Sequence, residues 1–110
     1  MAEGYEPQPL GLVTETVTKG SDDYVTSIDI VAKKFGKIVS CSGYALLKAG
    51  NFSNQTPIAT VSSLPTNNIY FYSDKGDIMR VTGSGNIIFH NAVTFASAAY
   101  RFFNFTYPCD

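Results

Sequence analysis

Asn68-Ile69-Tyr70-Phe71-Tyr72-Ser73-Asp74-Lys75-Gly76-Asp77-Ile78-Met79-Arg80-Val81-Thr82-Gly83-Ser84-Gly85-Asn86-Ile87-Ile88-Phe89-His90 holds three short β-branched and aromatic runs separated by two three-residue loops, each ending in glycine. Asp74-Lys75-Gly76 and Gly83-Ser84-Gly85 match the three-residue hairpin loop whose third position is left-handed, a conformation glycine adopts without steric cost. Taken at face value the loops pair Ser73 with Asp77 and Thr82 with Asn86, and every other pairing follows. Ile69 then faces Val81 and Ile87, while Phe71 faces Met79 and Phe89, so one face is wholly apolar. A slip of one residue would mix the two faces. Two independent loops that yield one clean core face therefore support the register.

The opposite face carries two rows, Tyr70–Arg80–Ile88 and Tyr72–Ile78–His90. It is neither a core nor an ordinary wet surface, because it combines apolar area with hydrogen-bonding tips. Contiguous apolar patches are seldom left bare. Three uses stand open for this face: cover by another part of the same chain, a subunit interface, or an exposed ligand platform.

Outward from this stretch, strand-like runs lie near Leu12–Thr18, Val25–Lys33, Lys37–Leu47, Ile58–Ser62 and Ala98–Tyr107. Their short separations favour antiparallel neighbours, since parallel ones need crossovers of a dozen or more residues. A two-residue turn at Phe35-Gly36 is expected to pair Ala32 with Val39, Ile30 with Cys41 and Ile28 with Gly43, although Phe is unusual in such a turn. The closing run places Phe103, Phe105 and Tyr107 on one side and Tyr100 and Phe102 on the other. A strand with one wet side should alternate, so this one is expected to be enclosed by the core on one side and by a neighbouring chain on the other. Residues 1–11, with Gly4, Pro7 and Pro9, read as an irregular lead-in, and residues 12–110 as a single β domain.

The length of 110 residues suits one core and leaves no room for two. Charged residues make up 15% of the chain, against roughly 25% in an average soluble domain. A small domain has proportionally much surface, so that shortage points to self-association. The net charge of −1 offers no basic stripe for a phosphate backbone, and Lys33, Lys34 and Lys37 form only a charged turn. Residues 1–24 hold no apolar stretch of signal-peptide length and no later run approaches a membrane span, so the chain is expected to carry no export signal of its own. Cys41 and Cys109 could form one bridge, but two free thiols suit a chain made in a reducing cytoplasm. The sequons at Asn51, Asn54 and Asn104 read as coincidences in a chain without a signal peptide, and Asn104 falls inside a strand-like run.

Catalysis finds little support. His90 is the sole histidine, with no titratable partner at a spacing that would set it beside a nucleophile. Asp22-Asp23 and the pair Asp74 and Asp77 fall in turns, where Asp serves local hydrogen bonding. No Cys/His spacing suggests zinc, and Gly83-Ser84-Gly85 lacks the lysine and helix of a phosphate loop. No cofactor, metal or catalytic residue is assigned. Saccharide recognition needs aromatic faces for stacking and fixed polar groups for hydroxyls. Tyr70, Tyr72, Arg80 and His90 have that chemistry and are the candidate ligand residues; the polar loop from Lys48 to Thr56 is a further candidate. The absence of Trp weakens the case for stacking.

The run Val31-Ala32-Lys33-Lys34-Phe35-Gly36-Lys37-Ile38-Val39 leads into Ser42-Gly43-Tyr44, followed by Pro57-Ile58-Ala59-Thr60-Val61, Asn68-Ile69-Tyr70-Phe71, Gly85-Asn86-Ile87-Ile88-Phe89 and an aromatic C-terminal strand. Over about residues 25–107 this order resembles the C-terminal head domains of receptor-binding and tail-fibre or baseplate proteins of tailed phages that infect Gram-positive bacteria, and of related prophage proteins. It departs from them at Ser63-Leu64-Pro65-Thr66, where such domains often carry a Gly-Tyr-Arg-Pro-like turn. The resemblance implies a compact antiparallel β-barrel or jelly-roll-like sandwich, assembled as a homotrimer in a virion tail beside other tail proteins, and binding host cell-wall saccharide. It transfers no binding residue, because these heads share no fixed binding motif. The chain would be a small separate tail component or a fragment of a longer one. Two other roles remain: a trimerising cap that binds nothing, and a trimeric jelly-roll head of the kind found in secreted eukaryotic signalling proteins.

Overall fold

A computed structural model describes residues 12–109, so the lead-in expected over residues 1–11 lies outside the described residues. Eleven strands occur among these residues: β1 (Leu12–Glu15), β2 (Val17–Lys19), β3 (Val25–Phe35), β4 (Ile38–Leu47), β5 (Gly50–Phe52), β6 (Ala59–Val61), β7 (Ile69–Tyr72), β8 (Ile78–Val81), β9 (Asn86–Phe89), β10 (Val93–Phe95) and β11 (Ala99–Pro108). Every pairing between them is antiparallel. One sheet has the order β1-β3-β4-β11 and a second the order β2-β6-β9-β8-β7, with β5 and β10 as a separate ribbon. The chain is thus all-β and sandwich-like, and its sheets keep free edges rather than closing into a barrel.

The β7–β8–β9 meander has the register expected from its loops. Ser73 N–H donates to Asp77 O at 3.0 Å and Thr82 N–H to Asn86 O at 2.9 Å. Ile69 pairs with Val81 and Phe71 with Met79, and on the far side Met79 pairs with Phe89 and Val81 with Ile87. Phe71, Met79, Val81, Ile87 and Phe89 are all buried. Gly85 has φ +85, and a Cβ there would lie 2.5 Å from Val61 O, so that loop needs glycine for both its conformation and its closeness to β6.

The earlier hairpin differs from expectation by two residues. Its turn is Gly36-Lys37, and it pairs Phe35 with Ile38, Ala32 with Cys41, Ile30 with Gly43 and Ile28 with Ala45. A primed turn needs a positive φ at its first central position, which Gly36 supplies at φ 61. A Phe there would meet the Cβ penalty that glycine avoids. Because the shift is even, the inward set survives: Ala32, Val39 and Cys41 remain buried, and Phe35 moves to the exposed tip.

The run Leu12–Thr18 is two strands, not one. β1 pairs with β3 in the first sheet and β2 with β6 in the second. The crossing lies at Thr16, whose N–H donates to Ser62 Oγ at 3.1 Å and whose carbonyl accepts from Ser62 N–H at 3.0 Å. One side of the sandwich is therefore closed by a continuous segment. The other side is closed where the edge strands β7 and β11 meet. There Phe71 stacks on Phe105 with ring centroids 3.9 Å apart and planes at 14°.

Candidate functional site

β7 turns Phe71 into the core, and strand alternation therefore sends its neighbours Tyr70 and Tyr72 outward. They are 54% and 69% exposed. Arg80 on β8 pairs with Tyr70, and Ile78 with Tyr72. His90 continues the second row, its N–H donating to Ile78 O at 2.8 Å. The face is not uniformly open, since Ile88 at the β9 end is only 2% exposed.

The Tyr70 and His90 rings meet edge to face, with centroids 5.3 Å apart and planes at 87°. Their strands lie on either side of β8, so the two side chains reach toward each other across it. Arg80 and His90 are half-buried. Arg80 Nε and His90 Nδ1 are closed to solvent and have no hydrogen-bond partner among the described residues. An unpaired buried polar atom costs about 1–3 kcal/mol, so this face holds two groups that a reorganised or occupied state could satisfy. Of the four candidate residues, the fold gathers Tyr70, Arg80 and His90, while Tyr72 stands toward the seam with β11.

At that seam a shallow hollow of about 230 Å³ is lined by Tyr72, Ser73, Asp74, Phe102, Phe103 and Asn104. The loop between β7 and β8 is tied to β11 here: Asp74 N–H donates to Phe102 O at 3.1 Å, and Phe102 N–H donates to Asp74 Oδ1 at 2.9 Å. Beyond it the outer face of the first sheet carries Phe102 and Tyr100, 50% and 52% exposed. Tyr44 on β4 packs against both, at centroid distances of 5.4 and 5.6 Å. The described residues thus leave the outer side of β11 half open.

Asp77 and Asp22, also weighed for chemistry, have structural partners. Asp77 Oδ2 accepts from Ser73 Oγ at 2.7 Å and from the Arg101 guanidinium, which also lies 4.8 Å above the Phe95 ring. Lys19 beside Asp22 lowers the carboxyl of that exposed aspartate. Burial, reinforced by Glu15, pushes the Cys41 thiol up to about 12, so it stays protonated at neutral pH. Cys41 and Cys109 are both free and buried. Among the described residues no three of His, Cys, Asp and Glu come together as a metal-holding group.

The loop from Lys48 to Thr56 is more structural than its polarity suggested. It contains β5, paired with β10, a strand pair missed in the sequence because each member is only three residues long. Phe52 is buried in edge-to-face contact with Phe89 and Phe95, at 5.8 and 5.4 Å. Tyr44, Asp74, Phe102 and Asn104 were also missed as possible ligand contacts. The doubled aromatic alternation of residues 100–107 was their one signal, and nothing in the sequence says that β7 and β11 adjoin. No protein-family model, curated protein or solved structure matches the chain.

Proposed function

We propose that this chain is a non-catalytic recognition domain of a phage tail appendage, which binds host cell-surface saccharide through the outer face of β7–β9. The observation that carries this is the open pair Tyr70 and Tyr72 beside the shielded, unpartnered Arg80 Nε and His90 Nδ1. Tyrosines offer an apolar ring for stacking and a phenol for hydrogen bonding at one position. Strands hold them more rigidly than loops would, which lowers the ordering cost of binding. Asp74 and Asp77 are engaged in hydrogen bonds and an ion pair, and the Cys41 thiol is kept protonated by burial. The appendage and its virion setting come from the strand-and-turn pattern in the sequence.

Such a domain acts as a homo-oligomer, with a trimer favoured by the same pattern, and it has a surface to use. Val31, Phe35 and Ile38 are exposed on the outer side of the β3–β4 hairpin, away from the tyrosine platform. That apolar area also favours a second role, a trimerising cap in which the platform too is covered by neighbouring subunits. Calorimetric titration with solubilised Gram-positive cell-wall glycan, alongside light scattering, separates the two. The recognition role expects saturable binding that Tyr72→Ala and His90→Ala weaken while the mass stays unchanged. An oligomer that binds no glycan, or one that falls apart in these variants, supports the cap instead.

A further inference from the structure

We infer that the ligand is an extended saccharide chain that crosses from one sheet to the other over the β7–β11 seam, a proposal that rests on the recognition role given above. The platform does not end at Tyr72. Tyr70 and Tyr72 lie two residues apart on one face of β7, about 7 Å along the strand. Tyr72 then forms one side of the hollow whose other side is Phe102, and beyond it Tyr100 continues the strip. Four exposed rings thus lie around this edge of the sandwich, two on each side of the hollow.

The strip is built to keep its shape. The reciprocal hydrogen bonds between Asp74 and the Phe102 backbone fix the loop of the second sheet to the edge strand of the first. Tyr44 supports Phe102 and Tyr100 from the adjacent strand. The Arg101–Asp77 ion pair joins the same two elements from the inner side of Phe102, with side chains only 14% and 21% exposed. Rings so held need little ordering on binding.

The chemistry along the strip selects the occupant. The hollow sets exposed Asp74 and Asn104 between its two rings. On the other side of Phe102 from Tyr100, Asn104 pairs with Ser42 and Thr106 with Ser40, whose hydroxyls lie 3.2 Å apart, so polar groups flank the strip. Rings with amide and carboxylate groups between them and hydroxyls to one side suit a polyhydroxylated chain with one apolar face per unit. A helix or strand from another protein would want aliphatic pockets, and the strip has none. Arg101, the cation on the inner side of the seam, is already held by Asp77.

Titration with β-1,4-linked N-acetylglucosamine oligomers, from monomer to hexamer, tests the inference. Affinity is expected to rise with length. Tyr70→Ala should weaken every member of the series, whereas Tyr100→Ala and Phe102→Ala should weaken only the longer ones, each by about tenfold, with Phe102→Tyr restoring binding. Both rings are half exposed, so these variants are expected to fold, and an unchanged thermal midpoint checks it. A hexamer that binds no tighter than the dimer, or is indifferent to Tyr100→Ala and Phe102→Ala while Tyr70→Ala abolishes binding, overturns the crossing and leaves the platform standing. Failure of every oligomer to bind overturns both. Loss of oligomeric mass in Phe102→Ala, with glycan affinity intact, assigns the strip to a subunit contact and overturns the crossing as well.

Discussion

The two sides of β11 are built from the same residue class and serve opposite ends. Phe103, Phe105 and Tyr107 face inward and are buried, and Phe105 stacks on Phe71 of the facing sheet. Tyr107 donates its hydroxyl to Ser63 O at 2.7 Å, so even its polar tip is satisfied inside the fold. Tyr100 and Phe102, one residue out of phase, stand half in solvent. Alternation alone separates them, and the difference teaches that aromatic content does not define the core. What counts is whether a second sheet lies within reach of the ring.

The sharpest way to break this comparison is Phe105→Ala. Loss of a buried aromatic from a stack that joins the two sheets should cost about 3–5 kcal/mol, read as a large fall in the urea midpoint. A small effect would mean that the seam is held from outside. Gly43→Ala ranks next. Its φ is +143 and a Cβ would sit 1.9 Å from Asp29 O, a backbone atom that cannot swing aside. The expected loss is about 1–3 kcal/mol, measured in the same way.

Alkaline pH probes the inner side without mutation. Burial raises the Cys41 thiol from 9.0 to about 12, and it also pushes the Tyr107 phenol upward. Between the ordinary and raised values the unfolded chain releases protons that the folded chain keeps, so unfolding gains as pH rises. Stability should be level through neutral pH and fall above about pH 9, and Cys41→Ala should flatten part of that fall in urea titrations. The smallest effect belongs to the outer side. Tyr100→Ala should move stability by no more than about 0.5 kcal/mol in the same titrations, and a larger loss would show that the outer ring is part of the core.

The β7–β9 register was legible because glycine-ended loops and strand alternation constrain each other locally. The turn expected at Phe35-Gly36 lies one residue on, which shifts the pairing by two, because hydrophobic parity is blind to an even shift and only the backbone demand on Gly36 separates the alternatives. The split of Leu12–Thr18 could not be read, since both halves alternate alike and the change of sheet at Thr16 depends on Ser62, distant in sequence. The candidate site was legible in part for the same reason. Tyr70, Arg80 and His90 lie on one local meander. Phe102 reaches Tyr72 only through a long-range meeting of two sheet edges, which no local pattern encodes.

The central claim, that the outward rings of this β domain receive a ligand, is tested most directly by hydroxyl-radical footprinting of Tyr72 in the native protein. Tyr72 should be labelled at every protein concentration and become protected when cell-wall glycan is added. Protection that rises with protein concentration alone, and is unaffected by glycan, would contradict the claim and make the face a subunit contact.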